Sequence, residues 1–329
     1  LQAWIGLLLL GIFMWLPNRS ISDEMRIRDG FLIVVLFWLV LALSGALPFM
    51  LSENPHMSIV DAVFESMSGL TTTGATVLTG LDDLPRSILY YRQQLQWLGG
   101  MGIIVLAVAI APILGVGGMQ LFRAEATGPM TNNKLTPRIK ETAKALWYIY
   151  LGLTAVCAAL YFLAGMSLFD AIGHSFSTLA IGGFSTHDKS IAFFNNPMID
   201  IIAMLFMVIA GINFSLHYLA LRRRSLRLYF SDSEVKAFLL ILAFLSVITI
   251  SVLIVESTFE DTGVAIRLGL FQVISVATTT GFTTNNFSYW PGLLPVLLII
   301  SSFVGVCSGF NAGGMNVIRV EILLRQGRS

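Results

Sequence analysis

Long apolar stretches of the chain alternate with shorter ones that cannot cross a membrane. A helix needs roughly 20 residues to span the hydrocarbon core, and the stretches 31–51, 145–164 and 235–255 meet that length. The stretch 58–70, with about 13 residues, would reach only halfway at about 1.5 Å per residue. We therefore predict a re-entrant half-helix there.

The same unit occurs three times along the chain. Residues 57–63 closely parallel 166–172, and one constant offset aligns both segments through to Gly74 and Gly183. A third half-helix is predicted over 264–277. A further long apolar stretch follows each half-helix, at 95–114, 199–221 and 293–324. The unit is therefore a helix, a half-helix, a polar loop and a second helix.

The half-helices are expected to begin with polar caps. Ser58 precedes Asp61 by three residues, and Ser167 precedes Asp170 by the same spacing. A serine and a carboxylate so placed satisfy the free amides of the first helical turn. In the third copy that spacing is lost, and Asp261 is the expected cap.

Each unit crosses the membrane an even number of times, so successive units must point the same way. They are then parallel repeats about an axis along the membrane normal. The predicted fold class is an all-α polytopic membrane protein. We divide the chain into an N-terminal segment and three repeats, at 1–29, 30–130, 131–229 and 230–329.

A short polar loop follows each half-helix. We name these segments the first, second and third loops: Thr71-Thr72-Thr73-Gly74, Ala180-Ile181-Gly182-Gly183 and Thr278-Thr279-Thr280-Gly281. A serine lies six residues before each final glycine, at Ser68, Ser177 and Ser275. One such loop is equally consistent with a polar turn at the membrane surface. Three copies, each after a half-helix, favour a shared functional site.

The composition of the loops suits a monovalent cation. Irregular backbone at membrane depth is tolerated only where it is buried in protein or faces water. Glycine permits positive φ and close approach, while threonine adds a hydroxyl without charge. Such loops can present carbonyl oxygens to a dehydrated ion, beside the partial negative charge of a helix C-terminus. The loops contain no carboxylate, which disfavours a divalent-cation site.

Composition places the chain in a membrane, and charge gives its orientation. The sequence is 56% hydrophobic and 12% charged, and its net charge of +1 gives no sign of a nucleic-acid partner. Basic residues cluster in the connectors between units, as at 222–224, where they also suit anionic lipid. The positive-inside rule makes these connectors cytoplasmic. The opposite side carries Glu53, Asp82 and Asp83, so the loops are expected to open outward.

These features resemble the Trk/Ktr/HKT superfamily of potassium transporters, most closely its TrkH branch. The resemblance rests on the three loops, on Trp97-Leu98-Gly99-Gly100-Met101-Gly102-Ile103, and on Gly211-Ile212-Asn213-Phe214 followed by His217-Tyr218. It covers essentially the whole chain. It implies repeats around a central pore, with every residue of the three loops contacting K⁺ and Gly74, Gly183 and Gly281 as filter glycines. It also implies that 1–29 is the end of an N-terminal helical hairpin with its cytoplasmic turn, and that a fourth repeat is missing from this chain.

The resemblance further implies a function and its partners. The expected activity is potassium uptake by channel-like inward permeation across a bacterial inner membrane, with no enzymatic step. No cofactor and no metal other than K⁺ are expected. A homodimer and a cytoplasmic nucleotide-binding ring of the TrkA type are the expected partners.

A glycine-rich polar interruption lies in the last apolar stretch, 293–324. The resemblance implies that it is an intramembrane gate loop formed by Gly305, Cys307, Ser308, Gly309, Phe310, Asn311, Gly313 and Gly314. Phe310 and Asn311 depart from the small hydroxyl residues usual in the family, and Asn316 stands where a lysine is common. A kink or close helix packing permitted by glycine is the alternative.

Other polar residues have less specific interpretations. The four histidines are too scattered for a transition-metal site, and packing is the expected role of His174. Asp61 and Glu65 are one helical turn apart, which fits an outer site that gathers cations or simple capping and packing. Arg267 is expected to pair with Glu260 or Asp261. The two cysteines lie in apolar context and give no disulfide framework.

Three other functions compete with potassium uptake. An intramembrane enzyme would need convergent nucleophiles, paired carboxylates or a metal cluster, and the apolar stretches contain almost none. A carrier for another solute would use the loops as broken-helix binding sites, but should place charged or amide groups in them. A poorly selective Na⁺/K⁺ pathway has the same sequence features as a selective one.

Overall fold

A computed structural model describes residues 2–18, 27–102, 138–303 and 307. Over these residues the chain forms α-helices joined by loops and short 3-10 turns, without a β-strand. In chain order the described helices are α1 (Gln2–Asn18), α2 (Ile27–Met50), α3 (Ile59–Leu70), α4 (Arg86–Gly100), α5 (Arg138–Leu163), α6 (Leu168–Leu179), α7 (Pro197–Gly211), α8 (Phe214–Arg223), α9 (Arg227–Ser231), α10 (Ser233–Val255), α11 (Thr262–Ala277) and α12 (Leu294–Ser301).

Two of the described helices are long and apolar enough to cross a membrane. They are the Lys144–Leu163 part of α5 and the whole of α10. The pair α7 and α8 is a third candidate if the two helices form one span with a bend of 92°. α2, α5 and α10 end within one residue of the predicted stretches 31–51, 145–164 and 235–255, and each begins two to seven residues earlier than predicted.

Three half-helices, α3, α6 and α11, follow α2, α5 and α10 as predicted. They contain 12, 12 and 16 residues. The predicted caps are present, since the Ser58 hydroxyl accepts from the Asp61 amide at 3.2 Å and the Ser167 hydroxyl from the Asp170 amide at 3.1 Å. The Asp261 carboxylate accepts from the Gly263 amide at 2.8 Å. The half-helices therefore begin at fixed points set by their own sequences.

The packing repeats from one unit to the next. Each half-helix contacts the helix before it, in the pairs α2 with α3, α5 with α6 and α10 with α11. The helix that follows one half-helix also packs against the half-helix of the next unit, since α4 contacts α6 and α7 contacts α11. Neighbouring units are therefore joined through the half-helices, directly beside the loops.

The prediction of one continuous helix over 199–221 is wrong. The helix ends at Gly211 and resumes at Phe214 after a bend of 92°. Asn213 causes the restart, because its side chain accepts from the Ser215 amide at 2.8 Å and caps α8. The ring of His217 contacts the Ile209 carbonyl at 3.0 Å and the Tyr229 hydroxyl at 2.8 Å, which fixes the bend from one side.

The other two second helices are described only in part. α4 begins at Arg86, ahead of the predicted start at residue 95, because Pro85 can open a helix there without losing a hydrogen bond. Residues 103–137 lie outside the described residues. α12 covers the start of the predicted stretch 293–324, whose later part also lies outside them.

The described hydrophobic core has two parts. One lies within the first repeat and includes Phe49 and Leu95. The other is continuous through the second and third repeats and includes Phe206 and Phe271. Buried polar side chains of α4 occupy the boundary between the first and second repeats: Arg92, Gln93 and Gln96. Polar contacts therefore contribute to the packing between the first and second repeats.

The contact between α4 and the end of α3 can be tested at Gly99. A Cβ on Gly99 would overlap the backbone carbonyl of Leu70, which cannot rotate away. We expect Gly99→Ala to lower the free energy of unfolding by about 1–3 kcal/mol through overpacking. Apparent melting temperatures in detergent measure the effect.

Gly152→Ala is the matched control for this prediction. Gly152 also lies within a helix, but a Cβ there meets nothing within 4 Å among the described residues. Alanine is favoured over glycine in a helix by about 1 kcal/mol, so stability should be unchanged or higher. Equal melting temperatures for Gly99→Ala and Gly152→Ala would contradict the described packing.

Candidate functional site

The three loops share one unusual backbone conformation. The residue two places before each final glycine is left-handed, with φ of 55° at Thr72, 53° at Ile181 and 59° at Thr279. The glycines themselves have φ of 76°, 77° and 85°. A β-branched residue seldom adopts this region, which costs about 1–2 kcal/mol per residue. Arg224 and Ser257 end α8 and α10 in the same region, so the distinctive feature of the loops is its repetition at three equivalent positions, each followed by a left-handed glycine.

This conformation closes the C-terminal end of each half-helix. The amides of Thr73, Gly182 and Thr280 each donate to the carbonyl five residues earlier, on Ser68, Ser177 and Ser275, at 2.9 Å. The preceding left-handed residue donates to the carbonyl three residues earlier. Together these bonds form a Schellman motif. The chain therefore reverses at the same point in all three repeats, and the loop residues follow at once.

Neighbouring loops lie against one another in a repeated arrangement. A Cβ on Gly74 would overlap the carbonyl oxygen of Gly182, and a Cβ on Gly183 would overlap that of Thr280. A Cβ on Gly281 would meet no described atom within 4 Å. The structure therefore brings all three predicted loops together, and glycine is required at positions 74 and 183 by the adjacent backbone. Ion contact by these residues stays a prediction.

Hydroxyl groups stabilise the first and third loops from within. The Thr71 and Thr73 hydroxyls are 2.7 Å apart, as are those of Thr278 and Thr280. The Ser68 hydroxyl donates to the Ala75 carbonyl and the Ser275 hydroxyl to the Phe282 carbonyl, each at 2.6 Å. These bonds fix the backbone on both sides of the loop glycine.

The second loop lacks this internal support. Ala180 and Gly182 occupy the two threonine positions, so no hydroxyl pair can form. The Ser177 hydroxyl is buried and has no hydrogen-bond partner among the described residues. The support comes from α4 of the first repeat, where the Gln96 amide donates to the Gly182 carbonyl at 2.6 Å and accepts from the Phe184 amide at 3.1 Å.

A buried polar residue lies nine positions before each loop glycine. Glu65, His174 and Gln272 are all fully buried. Glu65 accepts from the Thr76 hydroxyl at 2.9 Å, His174 hydrogen bonds to the Ser185 hydroxyl at 2.9 Å, and Gln272 donates to the Asn285 carbonyl at 2.6 Å. Each therefore joins its half-helix to the segment that follows its own loop, so the role of His174 goes beyond packing.

Arg92 connects the segments after the first and second loops. It is fully buried, and its Nε donates to Glu65 at 2.7 Å. Its terminal nitrogens donate to the Thr76 hydroxyl at 3.0 Å and the Ser185 carbonyl at 3.1 Å.

Because Glu65 is buried and paired with Arg92, it does not form an outer site that gathers cations. The capping and packing alternative holds for Asp61 and Glu65, since the Asp61 carboxylate accepts from Ser58 at 2.8 Å.

Ion pairs also join neighbouring repeats. The predicted pairing of Arg267 with Glu260 or Asp261 is wrong, because Arg267 donates to Asp200 of α7 at 2.6 Å. Asp261 caps α11 instead. The separation along the chain hides such a partner from sequence reasoning.

His187 forms the corresponding connection between the first and second repeats. Its ring hydrogen bonds to Asp82 and lies 3.5 Å from the Asp170 carboxylate. Burial lowers the pKa of His187, but the interactions of its ring with the two carboxylates outweigh burial, and the pKa is raised. The same bond lowers the pKa of Asp82. The contact therefore favours the charged form of both partners.

The predicted gate loop is described only at Cys307. Its amide donates to the Gly211 carbonyl at 3.0 Å, at the bend between α7 and α8. Gly305, Ser308, Gly309, Phe310, Asn311, Gly313 and Gly314 lie outside the described residues. In the described ranges, no group of three or more histidine, cysteine, aspartate or glutamate side chains is placed to hold a metal ion.

Sequence reasoning missed the residues that support the loops. Gln93 and Gln96 lie ahead of or just inside the predicted helix start at residue 95, so their position on a buried helix face was hidden. Glu65, His174 and Gln272 could have been found, because the position nine residues before each loop glycine carries a polar residue in all three repeats.

Comparison with known proteins agrees with this architecture. The TrkH family, described as a cation transport protein, matches residues 1–329. The chain is 58% identical over 317 residues to the Trk system potassium uptake protein TrkH of Halomonas elongata, covering 96% of this chain and 66% of that protein. Against TrkH of Escherichia coli the identity is 55% over 326 residues, covering 99% and 68%.

A solved structure gives the same result. The crystal structure of the potassium transporter TrkH from Vibrio parahaemolyticus superimposes with a TM-score of 0.88 at 50% identity, covering 99% of this chain and 67% of that chain. The chain spans about two thirds of the length of the curated relatives it matches. The predicted all-α polytopic membrane fold is confirmed, and the family is one of transporters and not of enzymes. The chain belongs to the TrkH family of cation transport proteins.

Proposed function

We propose that the chain is the ion-conducting part of a potassium uptake protein. K⁺ would pass through a filter of backbone carbonyls contributed by the first, second and third loops. The observation that carries this proposal is the shared left-handed conformation of three loops lying side by side. The names of the relatives support K⁺ as the ion, because they are potassium uptake proteins.

The geometry suits a dehydrated monovalent cation. Three half-helices end at the loops, so their C-terminal partial negative charges lie beside the site. The loops contain hydroxyls and carbonyls but no carboxylate, which suits K⁺ better than a divalent ion. Inward movement of one charge gains about 2.3 kcal/mol per 100 mV of inside-negative potential, so uptake needs no chemical step.

The proposed gate is the polar interruption at 305–314. The hydrogen bond between the Cys307 amide and the Gly211 carbonyl supports a location beside the bend of the second repeat. A polar backbone group at membrane depth needs such a partner. Opening would require this contact to change or the segment around it to move.

We also propose the location and partners of the whole protein. The basic residues of α8 and its C-terminal cap, Arg222, Arg223 and Arg224, support a cytoplasmic position for that end and outward-facing loops in a bacterial inner membrane. The relatives are named as parts of a Trk system, which supports a regulatory partner of the TrkA type. The homodimer rests on the family resemblance.

Ion flux through the full-length protein tests the proposed function. The protein is reconstituted in liposomes, and K⁺ and Na⁺ fluxes are compared at the same inside-negative potential. We expect K⁺ flux to exceed Na⁺ flux and to increase with the potential. Equal fluxes would favour the poorly selective Na⁺/K⁺ pathway. Flux of neither ion, with transport of an organic solute, would favour the carrier.

The role of the loop glycines can be separated from backbone strain. Gly74→Ala adds strain and an overlap with the Gly182 carbonyl, whereas Gly80→Ala adds strain alone, because Gly80 has φ of 68° and open space around it. We expect Gly74→Ala to reduce K⁺ flux about tenfold, which corresponds to about 1.4 kcal/mol. Gly80→Ala should keep the parental flux, and an equal loss in both variants would contradict a filter role for Gly74.

A further inference from the structure

The second loop differs from the other two in what stabilises it. The first and third loops each contain a hydroxyl pair, Thr71 with Thr73 and Thr278 with Thr280. The second loop has Ala180 and Gly182 at these positions. Its backbone nevertheless has the same left-handed residue and the same helix-closing hydrogen bonds. Because the second loop keeps this conformation without an internal hydroxyl pair, residues outside the loop must stabilise it.

Gln96 of α4 supplies that support with both ends of its amide. Its Nε2 donates to the Gly182 carbonyl at 2.6 Å, and its Oε1 accepts from the Phe184 amide at 3.1 Å. The two bonds lie on either side of Gly183. The side chain is fully buried, so water does not compete for these bonds. Gln93, one turn earlier, donates to the Phe184 carbonyl at 3.5 Å.

The sequence of the second loop is matched to this glutamine. A Cβ on Gly182 would fall on the Gln96 amide, and the three nearest atoms all belong to that side chain. Gly182 therefore cannot carry the threonine found at the same place in the other loops while Gln96 is present. The Gln96 side chain fills the volume that a side chain at position 182 would need, so the residue types at positions 96 and 182 depend on each other.

The equivalent helix beside the third loop has no such group. α7 contacts α11 as α4 contacts α6. Counted back from the final glycine of each helix, Met207 and Met204 of α7 stand where α4 has Gln96 and Gln93. The third loop, which has its own hydroxyl pair, needs no amide from its neighbour. Among the described repeats, the glutamine occurs only where the hydroxyl pair is lacking.

We infer that Gln96 is a positioning residue for ion selection, replacing across the repeat boundary the hydroxyl pair that the second loop lacks. This inference rests on the proposed filter function. Gln96 holds the Gly182 carbonyl and the Phe184 amide at fixed positions around Gly183. A filter that discriminates by the spacing of its carbonyls loses discrimination when one side can move. Permeation itself does not require that side to be rigid.

The first test compares Gln96→Leu with Gln94→Leu in the full-length protein. Gln94 lies on the same helix, is half-buried and makes none of the described hydrogen bonds to the second loop. We expect Gln96→Leu to lower the K⁺/Na⁺ permeability ratio in liposomes about tenfold while K⁺ flux remains measurable. Gln94→Leu should keep the parental ratio. A ratio for Gln96→Leu within about twofold of the parent, where a tenfold loss is expected, would overturn the inference.

The second test restores the support in another form. Gln96→Ala empties the volume beside Gly182, so Ala180→Thr and Gly182→Thr can be added to it to create the hydroxyl pair of the other loops. We expect Gln96→Ala to lose selectivity and the triple variant to regain most of it. Melting temperatures in detergent are measured for each variant. A triple variant no more selective than Gln96→Ala would overturn the inference. The same conclusion holds if the triple variant also melts at a lower temperature than Gln96→Ala.

The parental protein distinguishes this inference from the proposed function. If the parent conducts K⁺ and Na⁺ equally, the proposed selectivity fails and the inference fails with it. If the parent is selective and both Gln96 variants are equally selective, the proposed function stands and the inference alone fails. A selective parent with a Gln96-dependent ratio supports both.

Discussion

The reversal of the chain at the end of each half-helix is the constraint on which the site depends. The amide of the residue before the loop glycine donates to the carbonyl five residues earlier, at 2.9 Å in all three repeats. This bond forces the preceding residue into the left-handed region, although that residue is Thr72, Ile181 or Thr279 and not glycine. The protein therefore carries about 1–2 kcal/mol of strain at each position, offset by packing elsewhere.

The surrounding structure explains how this strain is tolerated. Each half-helix is fixed at its start by a side-chain cap and at its end by contacts with the following segment. The buried residues Glu65, His174 and Gln272 make these contacts with different chemistry at one equivalent position. Arg92 then joins the first repeat to the second, where the hydrophobic core is divided. Because taking two charges out of water is costly, the buried Arg92–Glu65 pair depends on the further hydrogen bonds that Arg92 makes to Thr76 and Ser185.

Much of the fold and the location of the site were predictable because the chain repeats itself. The half-helices, their caps and the three loops follow from local signals, such as Ser58 with Asp61, that act within one helical turn. The bend at Gly211 was missed because apolar composition outweighed the cap at Asn213. Partners such as Arg267 with Asp200 are far apart in sequence, so only the packing of α11 on α7 reveals them. The support of the second loop by Gln96 was hidden for the same reason.

Direct observation of bound ions tests the central claim that the three loops form one cation site. Crystals of the full-length protein would be grown with K⁺ replaced by Rb⁺ or Tl⁺, and anomalous scattering would locate the ions. The account predicts a peak bordered by backbone oxygens of the first, second and third loops. Peaks only at surface carboxylates, with none between the loops, would contradict it.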